Sequence, residues 1–148
     1  MNNFYQTMLN HNLGRNLLKT VGLPTPIELK RYRAEQATFF SGKVLLGGSD
    51  NAALLEDILR NLKDSEARVF YPAAARSASV LVSAAEKVGI KVIGIECNKD
   101  MREKFDALLF DASGFNSASE MHQLYYFFNP VMRKLNSYSR ILLLGRPL

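Results

Sequence analysis

The sequence predicts an α/β protein: a parallel sheet with helices packed on both faces. Three observations carry this prediction. Five short apolar runs recur along the chain: Lys43-Val44-Leu45-Leu46-Gly47-Gly48, Arg68-Val69-Phe70-Tyr71-Pro72, Lys91-Val92-Ile93-Gly94-Ile95-Glu96, Ala107-Leu108-Leu109-Phe110-Asp111-Ala112 and Arg140-Ile141-Leu142-Leu143-Leu144. They are continuous rather than alternating, the pattern of strands buried on both faces of a sheet. Amphipathic segments separate most of these runs, and strands alternating with helices imply right-handed crossovers and parallel pairing. Finally, turn and capping residues fall at the junctions, as at Gly89, Ser113-Gly114 and Ser117.

Each element follows in order. Residues 4–21 place Phe4, Met8, Leu9, Leu13, Leu17, Leu18 and Val21 at helical spacing, weakened in the middle by Asn12 and Gly14. Gly22 stops this segment, and Leu23-Pro24-Thr25-Pro26 forbids helix beyond it. An extended connector then runs to residue 42. The first strand ends at Gly47-Gly48, and Ser49 or Asp50 is expected to cap the next helix. That helix carries Leu54, Leu55, Ile58, Leu59 and Leu62 on one face. The second strand ends at Tyr71-Pro72. The helix after it shows Val80, Leu81, Ala84, Ala85 and Val88, stopped by Gly89. The third strand ends at Glu96 and is followed by a short charged segment. The fourth ends at Asp111. Ser117 and Glu120 have the spacing of a capping box. The last helix is expected to carry Met121, Leu124, Tyr125, Phe128, Val131, Met132 and Leu135, with a kink at Pro130. The fifth strand follows it.

Five parallel strands with helices on both faces define a doubly wound, flavodoxin-like and Rossmann-like class. Strand order 2-1-3-4-5 is the expectation. The organisation reads as an N-terminal helical segment and connector over 1–42 and an α/β domain over 43–148. The chain stops just past an apolar strand, so it is expected to be part of a longer protein.

Composition narrows the function classes. The 148 residues are 47% hydrophobic and 22% charged, which suits one globular domain. The net charge of +5 is mild and scattered, apart from Lys30, Arg31 and Arg33. A nucleic-acid reader concentrates its charge on one face, so none is expected as a partner. Cys97 is the single cysteine, which allows neither an internal disulfide nor a cysteine-rich zinc site. It reads as a small packed residue in a reducing, cytoplasmic setting. The start of the chain lacks the basic-then-apolar pattern of a secretory signal. No apolar run approaches the ~18 residues that span a bilayer.

Ligands of open parallel sheets bind beyond the carboxyl ends of the strands. The sequence places Gly47, Gly48, Ser49, Asp50, Pro72, Glu96, Asn98, Asp111, Ser113 and Arg146 there. Gly47, Gly48 and Ser49 are the candidate cofactor-binding residues, because amides at a helix start can hold a phosphate. Neither G-x-G-x-x-G nor G-x-x-x-x-G-K-S/T is present, and Asp50 would repel a phosphate, so a structural turn is the competing reading. Asp50, Glu96 and Asp111 could suggest a phospho-receiver or a Mg²⁺ site. However, Asp50 has no acidic neighbour, and Arg146 stands where a lysine is wanted. His11 and His122 are the only histidines and lie far apart in sequence, so no nucleophile–histidine arrangement can be argued. No catalytic or metal-binding residue is expected.

Tyr125-Tyr126-Phe127-Phe128 is the fourth signal in the chain. Consecutive helical residues lie about 100° apart, so these four sweep round the helix. One face can pack on the sheet. The rest are either buried beneath other segments or form a docking surface, and the four are the interface candidates.

Ordered strings add a resemblance. Leu13-Gly14-Arg15, Gly22-Leu23-Pro24-Thr25-Pro26 and Leu29-Lys30-Arg31-Tyr32 lead into the first strand with its double glycine. Later come Phe105-Asp106-Ala107-Leu108-Leu109-Phe110-Asp111-Ala112-Ser113-Gly114, Tyr126-Phe127-Phe128-Asn129-Pro130, and Arg140-Ile141-Leu142-Leu143-Leu144-Gly145-Arg146-Pro147. In this order they resemble the N-terminal domain of the high-molecular-weight 3-oxoacyl-acyl-carrier-protein reductases, over nearly the whole chain. The resemblance implies a two-domain cytoplasmic enzyme of fatty-acid metabolism, typically a homodimer. A flavodoxin-like domain would precede a short-chain dehydrogenase/reductase domain. That second domain would bind NAD(H) or NADP(H) and reduce 3-oxoacyl thioesters to 3-hydroxyacyl thioesters. The chain in hand would hold no cofactor, and its partners would be its own reductase domain and a second copy. Reductase chemistry of this kind needs a tyrosine with a lysine four residues on. The residues four after Tyr5, Tyr32, Tyr71, Tyr125, Tyr126 and Tyr138 are Leu9, Gln36, Ala75, Asn129, Pro130 and Leu142. The rival expectation is a free-standing nucleotide- or small-molecule-binding domain built on Gly47 to Asp50.

Overall fold

The computed structural model describes residues 40–146. The helical segment expected over 4–21 and almost all of the connector up to 42 lie outside the described residues, as does His11. Within them lie five strands and three helices, in the order β1 (Ser41–Gly48), α1 (Leu55–Lys63), β2 (Glu66–Pro72), α2 (Ala78–Val88), β3 (Val92–Ile95), β4 (Phe105–Asp111), α3 (His122–Phe128) and β5 (Leu135–Leu144). Short 3₁₀ turns, Ala118–Met121 and Met132–Lys134, flank α3. β1 begins two residues inside the expected connector.

The five strands form one parallel sheet, as the continuous apolar runs require. Its order is β3-β2-β1-β4-β5, which corrects the expected 2-1-3-4-5. The reason lies in β3. It has four residues, includes Gly94 and leaves Ile93 39% exposed, so it suits an edge. β1 and β4 each end in five consecutive buried residues and take the centre. The segment 96–104 then crosses from the β3 edge to β4. Three strand spacings amount to about 14 Å, well within its reach at ~3.3 Å per extended residue. It needs no helix, and Met101 anchors it in the core.

Handedness distributes the helices. β1-α1-β2-α2-β3 steps outward in one direction, so right-handed crossovers put α1 and α2 on the same face. The step from β4 to β5 runs the other way and puts α3 on the opposite face. The core divides accordingly. Val44, Leu46, Val69, Ala107 and Leu109 pack with Leu55, Ile58, Leu59 and Leu62 of α1 and with Leu81, Ala84 and Ala85 of α2. The intervening residues Leu45, Phe70, Leu108 and Phe110 pack with Met101, Phe127 and Val131. The period-2 alternation of each strand is what sends neighbours to different layers.

Helix ends show which signals acted. Gly89 takes the left-handed conformation at φ 71° and closes α2, with its N–H on Ala85 O and Glu86 O. Glu120 accepts from Ser117 N–H at 3.2 Å, the return bond of a capping box. Pro130 does not kink a long helix. α3 has ended at Phe128, a turn follows, and β5 starts at Leu135. A proline ring clashes with the preceding turn and withholds an N–H, which favours termination here. β5 is also longer than its apolar run. Its register jumps between Phe105↔Leu135 and Ala107↔Arg140, where Tyr138 sits at φ 67°.

Candidate functional site

In this topology the strand order reverses direction between β1 and β4, the place where ligands of open sheets commonly bind. Here the protein's own side chains fill that seam. Asp111, the last residue of β4, is fully buried. Its Oδ2 accepts Leu54 N–H at 2.7 Å and its Oδ1 accepts Ser113 N–H at 2.9 Å. Ser113 Oγ accepts Ala53 N–H at 2.8 Å. Ser49 N–H donates to Asp111 O at 2.8 Å and joins the two loops. The Ala53 and Leu54 amides that lead into α1 are therefore satisfied by a hydroxyl and a carboxylate from across the seam. Neither Ser49 nor Asp50 is the cap, contrary to the local reading. A phosphate on those amides would have to displace an internal carboxylate. Gly114 completes the closure: a Cβ there would lie 2.5 Å from Ser49 Oγ and would strike Asn51. The Ser49 hydroxyl is buried with no hydrogen-bond partner.

Next to the seam, on the α3 side, a cavity of about 710 Å³ opens at the carboxyl ends of the strands. Gly47, Gly48, Asp50, Pro72 and Glu96 line it, as do Cys97 and His122. Thus two of the three candidate cofactor residues, Gly47 and Gly48, reach the cavity wall, whereas Ser49 is buried beneath the loops. Gly47 is required there by packing. A Cβ would meet the Phe127 ring at 2.5 Å. Asn98 lies outside the wall and its Oδ1 holds Asp100 N–H at 3.1 Å. Arg146 donates to Asn116 Oδ1 at 3.1 Å.

The aromatic quartet splits. Phe127 is buried against Phe110, with ring centroids 5.1 Å apart, and Phe128 is half-buried beside it. Tyr125 and Tyr126 are 64% and 70% exposed, and Tyr126 borders the cavity. Sequence reasoning missed Arg76, Ser77 and Gln123, which also line it. The signal was available for the first two. They sit in the loop after the second strand, which opens onto the same margin as the loop after the first.

Electrostatics disfavour one chemistry. Burial pushes the Cys97 thiol up to about 11, so the nucleophilic thiolate is scarce at neutral pH. Both Asp111 oxygens are engaged, so Asp111 does not join Asp50 and Glu96 as a cation site. Among the described residues, no three His, Cys, Asp or Glu side chains converge as metal ligands. No described helix is long and apolar enough to cross a membrane.

Fold and site together define a doubly wound α/β domain with an internally closed seam and an open cavity beside it. No protein-family model matches the chain, and comparison with curated proteins finds no similar one.

Proposed function

We propose that this chain is a non-catalytic α/β domain of a long-form 3-oxoacyl-acyl-carrier-protein reductase, acting in the cytoplasm as a scaffold for the reductase domain and for a homodimer. One observation carries the reading. Asp111 and Ser113 accept from the Leu54 and Ala53 amides that lead into α1, where a dinucleotide pyrophosphate would otherwise rest. The cofactor, NAD(H) or NADP(H), would bind in the reductase domain. The ordered strings of the sequence and the missing Tyr-x-x-x-Lys pair support the same division. Tyr125 and Tyr126, exposed side by side on α3, supply the kind of aromatic surface that interfaces favour.

The test has two arms. The chain should give no reduction of an acetoacetyl thioester with NADH or NADPH, and contaminant-free turnover would refute the non-catalytic role. Sedimentation should show a dimer that weakens in a Tyr125→Ser/Tyr126→Ser double variant; a monomer at every concentration would refute the dimer role. The cavity favours a second reading, a free-standing domain that binds a nucleotide or another small molecule.

A further inference from the structure

We propose that the cavity binds a phosphomonoester, with the phosphate held by Arg76, Ser77 and the amino end of α2, and an aromatic body against Phe110, Phe127 and Tyr126. The proposal gives a chemistry to the second reading above and rests on its cavity. It does not depend on whether a reductase domain follows.

Four observations converge. The turn Ala74–Ser77 that leads into α2 lines the cavity, so the positive end of the helix dipole lies at its wall. Ser77 is 6% exposed, and its hydroxyl has no hydrogen-bond partner among the described residues. Ser77 lines the cavity, so this hydroxyl is available to donate to a ligand oxygen. Arg76 stands beside it with no ion pair or hydrogen bond among the described residues, a free guanidinium fork suited to phosphate. By contrast, the Leu54 amide at the entry to α1 already bonds Asp111. The two helix ends differ in this respect.

The rest of the cavity selects the class of phosphate. Asp50, Glu96 and Glu120 lie along other parts of the wall. They would repel a di- or triphosphate extending across the cavity, so a single terminal phosphate is favoured. Carboxylates can instead accept hydrogen bonds from hydroxyl groups such as those of a sugar. The Phe110 and Phe127 rings and the exposed Tyr126 ring offer apolar, stackable surface. The volume lies within the usual range for small-molecule sites, about 300–1,000 Å³.

The probes are AMP, adenosine, inorganic phosphate and ATP, titrated into the isotope-labelled 148-residue chain and followed by amide resonances. AMP should bind saturably and shift the amides of residues 74–79 and Tyr126. Adenosine and inorganic phosphate should each bind about tenfold more weakly than AMP, and ATP should bind no more tightly. Arg76→Glu should weaken AMP by about tenfold or more, and Ser77→Ala by a few-fold. Arg76 is exposed, so its variant should keep the parent spectrum away from the cavity; Arg76→Gln provides the same test without charge reversal. Adenosine binding as tightly as AMP would overturn the proposal. So would unchanged AMP affinity in both Arg76 variants, shifts confined to the start of α1, or no shifts up to about 10 mM AMP.

Discussion

Asp111→Asn exchanges one acceptor oxygen for an amide NH₂ that must face either Leu54 N–H or Ser113 N–H. Two donors then oppose each other in a site with no water access. The expected cost is about 2–3 kcal/mol, a fall of roughly 1–2 M in the urea midpoint at a typical slope. Ser113→Ala removes only the acceptor of Ala53 N–H and should cost less, about 1 kcal/mol. An unchanged midpoint in both variants would contradict the description of the seam. At this scale the sequence was only partly legible. Ser49 and Asp50 stood where a local cap belongs, but the actual acceptors come from 57 and 60 residues away. Capping propensity reads a few neighbouring residues, and a cap supplied by another strand leaves no local trace. Arg76 and Ser77 were legible in principle, because every loop after a parallel strand opens on the same side.

Among the elements, the α1–α2 pair carries a pH-dependent contact. The hydrogen bond from Lys87 Nζ, at 3.0 Å, and its charge hold the Glu56 carboxyl below its usual value of 4.5, with a smaller contribution from Arg60. A lowered folded pKa stabilises the folded state above the ordinary carboxylate pKa and is lost as pH falls through the folded value. Lys87→Ala should return Glu56 towards 4.5 in an NMR titration and flatten stability against pH in that acid window. An unchanged Glu56 titration would show that the pair does not persist in solution. In β5, Tyr138 sits at φ 67°, where an L side chain is strained. Tyr138→Gly should raise the unfolding free energy by up to about 1 kcal/mol, since the side chain is 41% exposed and little packing is lost. A loss of stability instead would mean that the ring contributes more than the strain. The central strands and both α1 and α2 were legible from apolar pattern, and the Gly89 stop acted as its sequence suggests. The end of α3 was not. Apolar residues Val131, Met132 and Leu135 continue the helical spacing past Pro130, so periodicity and chain geometry disagreed, and geometry prevailed.

For the whole molecule, strand order governs protection. β1 and β4 are flanked on both sides, whereas β3 and β5 are edges. Amides of β1 and β4 should exchange most slowly and those of β3 most quickly among the strands. Equal protection of β3 and β1 would favour the order first expected. That expectation failed because apolar runs report burial and not adjacency, although the brevity of the third run and its glycine hinted at an edge. The seam between β1 and β4 also bears on how the chain is made. A ribosome delivers β1, α1, β2 and α2 long before Asp111 and Ser113 emerge. Until then the Ala53 and Leu54 amides leading into the first helix have no partner, and the sheet has no central neighbour for its first strand. Nascent chains halted short of residue 113 should stay protease-sensitive, and resistance should arrive abruptly once that stretch has cleared the exit tunnel.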